Sequence, residues 1–319
     1  MIPVIIDNDT AQDDCVTILE GLLDPACDLR AITMVAGNVG FERQVENAAM
    51  TVAVAGKLGE VPIHLGASKP LTREWEGAED VHGDGSGGLH MDIPEGLVSE
   101  VGAVDALCAA VAAEPGVISI VAIGPLTNIA LAVQQDPDFA VNVKSLYVMG
   151  GSNNGRGNIT PAAEFNFYVD PEAAQIVLDA GFADLRILTW DPVTLRDVTF
   201  PRPRYDELCQ LGTPLSRFFK HVCDATIDYD ESVGVNGSTH PDSATLACLL
   251  HPELVLEQAR YRVDVECASD LTRGYSVMAW DKFDCAPNAT VFERVDGEAY
   301  YARLKALLAT PTTPSVELF

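Results

Sequence analysis

Basic side chains are scarce in this chain. Twenty Lys and Arg stand against forty-seven Asp and Glu in 319 residues, leaving a formal charge of −27 and a pI near 4.3. Phosphate recognition needs clustered Lys and Arg, so neither nucleic acid nor an anionic membrane is an expected partner. Long apolar runs are also missing: no stretch of eighteen or more apolar residues suggests a membrane span. The opening MIPVIID has no basic leader followed by an apolar run and a cleavage site, so a cytoplasmic protein is expected. Eight cysteines are present, but none forms a C-x-x-C pair, which removes the usual zinc and thioredoxin-like signals. Buried free thiols in a reducing compartment are the expectation.

What the chain does have is enough apolar residue for a full core, 48% of the total with a mean hydropathy of +0.13. Strand and helix signals alternate along nearly all of it, with no linker and no repeat. Strands are expected at 2–6, 29–36, 61–65, 117–123, 146–149 and 185–189, with helices at 13–23, 42–58, 104–113, 126–135 and 171–180. A mainly helical stretch follows at 203–250, broken around 234–241. Short strands near 261–265 and 275–279 and a helix at 297–308 close the pattern. The fold class is α/β, a single domain over 1–309 with a mainly parallel central sheet flanked by helices, and 310–319 reads as a loose tail. Residues 68–102 are rich in Gly and charge with weak periodicity, as expected of a lid or binding loop.

Four aspartates, Asp7, Asp9, Asp13 and Asp14, crowd the run VIIDNDTAQDD. They fall where the first strand ends and the first helix begins, and open α/β sheets bind ligands at the carboxyl ends of their strands. Four like charges there repel and raise one another's pKa values, so a positive partner is expected. No His or Cys is interleaved, which favours a hard divalent cation such as Ca²⁺ or Mg²⁺. Three further loops carry side chains suited to hydroxyl-rich ligands: Asn38 with Asn47, Asn158 with Glu164 and Asn166, and Asp242 in THPDSA. Singly, each could merely serve a turn or cap a helix. Trp75, Trp190 and Trp280 are expected to pack rather than to stack on a base.

Together these blocks resemble the inosine–uridine-preferring nucleoside hydrolase family, whose N-terminal signature is D-x-D-x-x-x-D-D. The resemblance covers nearly the whole chain, through IIDNDTAQDD, AGNVGFERQVENA, DVHGDGSGG, AIGPLTNIALA, VMGG, GNITPAAEFNFYVDPEAA and the Asp242 segment. It implies hydrolysis of the N-glycosidic bond of ribonucleosides to ribose and free base. It further implies that Asp9, Asp14 and Asp242 bind Ca²⁺ with the backbone carbonyl of Ile123, and that Asp9 is the general base. Asp13 and Asn166 are implied to hold the 2′- and 3′-hydroxyls, Asn158 and Glu164 the 5′-hydroxyl. Asn38 is implied beneath the ribose, His82 near the base, and Asp7 in a role orienting the metal-binding carboxylates. Relatives are typically homodimers or homotetramers.

The chain departs from the family pattern at three places. Thr10-Ala11 replaces Pro-Gly, and Ile123 replaces a common Thr, a change that a main-chain ligand tolerates. Pro241 stands where relatives have the leaving-group acid, with His240 one residue earlier. His240 could come into register through a twisted loop; His82, His221, Tyr229 and Asp230 are the alternatives. The helix bearing Tyr229 places Thr226 and Asp230 about where relatives often carry aromatics, so an unusual base pocket is expected. Two rival functions follow from parts of the sequence. IIDNDT is similar to the nucleophile motif of haloacid-dehalogenase-type phosphatases, and the Pro241 change fits a non-catalytic nucleoside-binding protein.

Overall fold

The computed structural model describes residues 1–280 and 284–318. Its first half alternates as expected: β1 (Ile2–Asn8), α1 (Gln12–Leu23), β2 (Cys27–Met34), α2 (Phe41–Val54) and β3 (Ile63–Leu65). A short helix, α3 (Glu79–His82), interrupts the otherwise irregular 68–102 segment before α4 (Ala103–Ala113) and β4 (Ser119–Ala122). Then come α5 (Thr127–Gln135), α6 (Phe139–Asn142), β5 (Ser145–Met149), α7 (Phe165–Val169), α8 (Pro171–Asp179) and β6 (Leu185–Leu188). After a π-helical turn at Trp190–Thr194 the chain forms α9 (Leu195–Asp197), β7 (Thr199–Phe200), α10 (Arg202–Cys209) and α11 (Pro214–Ser232). It ends in β8 (Ser238–Thr239), α12 (Pro241–Leu250), β9 (Val255–Val265), β10 (Ser276–Ala279), β11 (Ala289–Val295) and α13 (Gly297–Leu308).

Among the described residues nine strands make one sheet in the order β10-β9-β11-β6-β5-β4-β1-β2-β3. From β11 to β3 every neighbour is parallel; β9 and β10 add an antiparallel edge. Both sheet faces are covered, which is why the parallel strands read as continuous apolar runs. Alternation within β1 sends Val4 and Ile6 to one core, with Val16, Phe218 and Tyr300, and Ile5 to the other, with Leu107, Ile129 and Val177.

Three features differ from the sequence expectation. Strand β11 was not anticipated, and β9 starts six residues earlier than expected, because the polar VLEQAR segment acquires strand structure only by pairing with β11. The two-residue ladder β7–β8 pairs Thr199 with Thr239 and Phe200 with Ser238, a pairing that no local pattern encodes. The tail is anchored rather than loose: the Thr312 hydroxyl donates to Val54 O at 3.1 Å and Ser315 N–H to Ala53 O at 2.8 Å, tying it to the end of α2. Phe319, the last residue of that expected tail, lies outside the described residues. Cys15, Cys27, Cys108, Cys223 and Cys248 are buried free thiols. Among the described residues no helix is long and apolar enough to cross a membrane.

Candidate active site

Strands β1, β4 and β5 are adjacent and parallel, so their carboxyl ends open on one side of the sheet. There a cavity of about 280 Å³ is lined by residues from eight separate stretches of chain, among them Asp14, Asn38, Ile123, Asn158, Asn166 and Asp242. Its size suits a small molecule.

The β1–α1 turn is built around Asp14. Its Oδ1 accepts the N–H of Asp9 and its Oδ2 that of Ala11, both at 3.2 Å, and Asn38 Nδ2 donates to the same Oδ2 at 3.2 Å. An anion in the first turn of α1 is favoured by the free N–H groups and the helix dipole. Asp9 lies fully buried beside it, and Oδ2 accepts the Asn38 N–H at 2.9 Å. Its Oδ1 has no hydrogen-bond partner. Gly37 and Gly124 press on this carboxylate so closely that a Cβ on either would fall 2.0 and 2.7 Å from its oxygens. Trp75 Nε1 donates to Gly37 O at 2.8 Å and so supports the packing from behind.

Asp13 reaches across to α12. Its Oδ2 accepts the N–H groups of Asp242 (2.7 Å) and Ser243 (3.1 Å), and its Oδ1 accepts from Ser243 Oγ (2.7 Å) and meets His240 Nδ1 at 3.0 Å. One carboxylate thereby caps a helix more than two hundred residues away and carries Asp242 to the cavity. Burial and then the charges of Asp14, Asp13, Asp9 and Glu164 hold the Asp242 carboxyl well above the usual range. Burial first, then the Asp14 charge, does the same to Asp9, and Asp14 is pushed up to about 6 chiefly by burial. The acids are therefore close enough to repel, as the sequence reading expects. Among the described residues, however, no three His, Cys, Asp or Glu side chains already converge as a metal-ligand cluster.

The opposite wall comes from the β5–α7 loop. Asn158 Oδ1 accepts the Phe165 N–H at 2.8 Å. Glu164 caps α7, accepting from the N–H groups of Asn166, Gly151 and Phe167; burial still pushes it up to about 7. Asn166 Nδ2 donates to Ile123 O at 2.9 Å and Met149 O at 3.2 Å, so it touches the carbonyl assigned to the cation. His82 lines the rim with Nδ1 against Thr226 Oγ1 at 3.1 Å; desolvation pushes it down to about 4, so it is neutral at pH 7.

Two expectations need correction. His240 does not face the cavity: it is fully buried, with Nδ1 on Asp13 and Nε2 on Ser238 Oγ at 3.0 Å, and its ring stacks between Phe200 and Phe219. With both nitrogens engaged, it cannot protonate a departing base. Asp7 does not hold the other carboxylates either: Oδ1 accepts from Thr33 Oγ1 (2.5 Å) and Asn128 Nδ2 (2.7 Å).

Comparisons with known proteins identify the family. The family described as inosine-uridine preferring nucleoside hydrolase matches residues 4–302. The pyrimidine-specific ribonucleoside hydrolase RihA of Citrobacter koseri is 34% identical, over 97% of this chain and 98% of its own. The solved plant nucleoside hydrolase PpNRh1 superposes with a TM-score of 0.89 at 30% identity, covering 97% of this chain and 99% of that one. The purine-preferring ribonucleoside hydrolase from Gardnerella vaginalis gives 0.87 at 26% identity, covering 96% and 99%. The chain belongs to the inosine-uridine preferring nucleoside hydrolase family.

As a nucleoside hydrolase it is an N-glycosidase acting on ribonucleosides, in a metal-dependent family; the phosphatase and binding-protein readings are not favoured. Several residues of this hydrolase site escaped the sequence reading. Gln12 lines the cavity and donates through Nε2 to Thr239 O at 3.0 Å. Ser243 links Asp13 to Tyr300 OH at 2.6 Å, and Arg156 lines the rim. Asn128 sits in the AIGPLTNIALA block, where its amide could have been noticed; Ser243 and Tyr300 carry no such local signal. Trp190 lines the cavity, Trp75 supports Gly37, and Trp280 is exposed.

Proposed function

We propose that the hydrolase splits ribonucleosides by attack of water on C1′, with Asp9 as general base beside a Ca²⁺ held by Asp9, Asp14, Asp242 and the carbonyl of Ile123. The observation that carries this reading is Asp9 Oδ1, a fully buried carboxylate oxygen without a protein partner. Buried polar atoms ordinarily have partners, and one left without needs an ion or water to satisfy it. The donor set is all oxygen, which suits a hard cation. Such an ion supplies positive charge that offsets the clustered carboxylates and orients the ribose diol.

The chain's own groups supply the remainder. Breaking the C1′–N bond builds positive charge on C1′ and the ring oxygen, and fixed anionic groups stabilise that charge without reorganising. Asp9 takes the proton of the attacking water from the face opposite the base. Asn38, which lines the cavity beside Asp9 and Asp14, would lie beneath the ribose. Asp13, Asn166 and Asp242 would take the 2′- and 3′-hydroxyls, Asn158 and Glu164 the 5′-hydroxyl, and His82 would border the base. Asp13 already accepts three protein donors and meets His240 Nδ1, which holds its carboxylate in place. Residues 1–309 would act as one unit, in the cytoplasm, as a homodimer or homotetramer that sedimentation would distinguish.

Reducing-sugar release from a panel of purine and pyrimidine ribonucleosides, with and without EDTA, tests the reading. Release abolished by EDTA and restored by Ca²⁺ is expected; release indifferent to chelation would refute the metal assignment. No release from any ribonucleoside would refute the function.

A further inference from the structure

Since His240 is locked beneath Asp13, the leaving base needs another proton donor, and four side chains in or near the base end of the cavity could be considered. His82 is neutral at pH 7 and its Nδ1 is committed to Thr226. Tyr229 is held above the usual phenol range, chiefly by desolvation, and is too weak an acid. His221 does not line the cavity, and its Nδ1 meets the Gly87 carbonyl at 3.1 Å. Asp230 remains. It lies on α11 and is 4% exposed, yet it lines the cavity between Tyr229 and Thr239.

We propose that Asp230, held by Thr239 at the base end of the cavity, is the general acid that protonates the departing nucleobase. Thr239 Oγ1 donates to Asp230 Oδ2 at 3.0 Å, which fixes the carboxyl plane. Among the described residues Thr239 is the one hydrogen-bond partner of this carboxyl, through its hydroxyl and its N–H. Thr239 belongs to β8, two residues before Pro241, so the segment that buries His240 is the one that positions Asp230. Glu164, the other cavity acid pushed up to about 7, is occupied on both oxygens by main-chain N–H groups and can only accept.

The step balances. As the C1′–N bond breaks, its electron pair passes to the base, and the Asp230 O–H proton goes to an acceptor atom of that base. Water forms the new C1′–O bond and gives a proton to Asp9. Return of one proton from Asp9 to Asp230 through solvent resets both groups. Burial supplies the acid: desolvation pushes Asp230 up to about 7, partly opposed by Thr239 and aided by the Glu231 charge on the same helix. The elements packed on α11 carry Asp80 and His82 on α3, Asp13 and Asp14 on α1, Arg202, Arg204, Asp206 and Glu207 on α10, Glu42, Arg43 and Glu46 on α2, and Glu298, Arg303 and Lys305 on α13; Arg202 pairs with Asp228 and Glu231, and the charge that raises Asp230 is that of Glu231.

The inference rests on the proposed hydrolysis, and the test separates the two. The probes are ribonucleosides and p-nitrophenyl β-riboside, whose leaving group departs without a proton. Asp230→Asn is expected to lose about 10²–10⁴-fold in kcat on ribonucleosides but only a few-fold on the aryl riboside. Wild-type turnover of ribonucleosides should fall as pH rises through about 7, and this alkaline limb should vanish in the variant. Thr239→Val, which removes a bond that lowers the Asp230 pKa, should move the limb to higher pH and serves if Asp230→Asn does not fold. Equal losses on both substrates, or an alkaline limb unmoved by either substitution, overturns the acid assignment. A wild-type enzyme that cleaves neither probe overturns the proposed function and this inference with it.

Discussion

Gly37→Ala probes the Asp9 carboxylate, the proposed general base, without replacing it. The backbone at Gly37 is not in the left-handed region, so alanine brings no conformational strain of its own. The added methyl would nevertheless fall 2.0 Å from Asp9 Oδ2, 2.7 Å from its Cγ and 2.9 Å from its Cβ. Van der Waals contact needs about 3.5 Å, so the Asp9 side chain or the β2–α2 loop must move by more than ~1 Å. The Asn38 N–H bond to Asp9 Oδ2 at 2.9 Å cannot survive that shift unchanged. Misplacing a reacting group by about 1 Å costs roughly 10²-fold in rate, and overpacking costs about 1–3 kcal/mol of stability. Gly40→Ala is the control, because nothing lies within 4 Å of a Cβ there; it should retain turnover and lose under ~1 kcal/mol. Reducing-sugar release with saturating ribonucleoside gives kcat, and urea melts give stability. Wild-type kcat in Gly37→Ala, or a loss matched by Gly40→Ala, would show that activity does not depend on the Asp9 position described here.

Asp9→Ala should remain folded by circular dichroism yet turn over ribonucleosides at least about 10²–10⁴-fold more slowly; near-normal activity would remove Asp9 as base. Asp14→Ala should lose both activity and, by elemental analysis, bound metal. Asp7 bears on stability: burial raises its pKa to about 7 from 3.8, so the folded state holds that proton over a range where the unfolded chain releases it. Stability from this group is therefore full below pH ~4 and declines as pH rises towards 7, by up to about 4 kcal/mol at ~1.36 kcal/mol per unit. In metal-free protein, Asp7→Asn should match wild type near pH 4 and exceed it at pH 8; parallel stability curves would refute the burial argument. Saturating ribonucleoside should protect the 77–88 segment, whose Val81 and His82 line the cavity, from limited proteolysis; unchanged cleavage rates would count against closure.

The chemistry of the site was readable because it is concentrated in short blocks at the ends of strands. D-x-D-x-x-x-D-D places Asp9, Asp13 and Asp14 within one strand-to-helix turn, where local geometry leaves few choices. Parallel strands from β1 to β6 were equally legible, since a sheet buried on both faces writes itself as apolar runs separated by helical periodicity. Polar β9 and its partner β11 were harder, because an edge segment becomes a strand through its neighbour rather than through its own pattern.

The fate of His240 marks the boundary between the two kinds of information. One inserted proline separates it from Asp242, and sequence spacing alone left it free to twist into the cavity. Packing between Phe200 and Phe219, with hydrogen bonds to Asp13 and Ser238, turns it inward instead. Three of those partners, Asp13, Phe200 and Phe219, come from distant parts of the chain, so the outcome depends on how helices α11 and α12 meet α1 and the β7–β8 ladder. Composition and local motif determined an acidic α/β hydrolase with its carboxylates at the strand ends. Which side chains face the ligand, and which are sealed beneath it, was decided only when burial and hydrogen bonding brought those distant segments together.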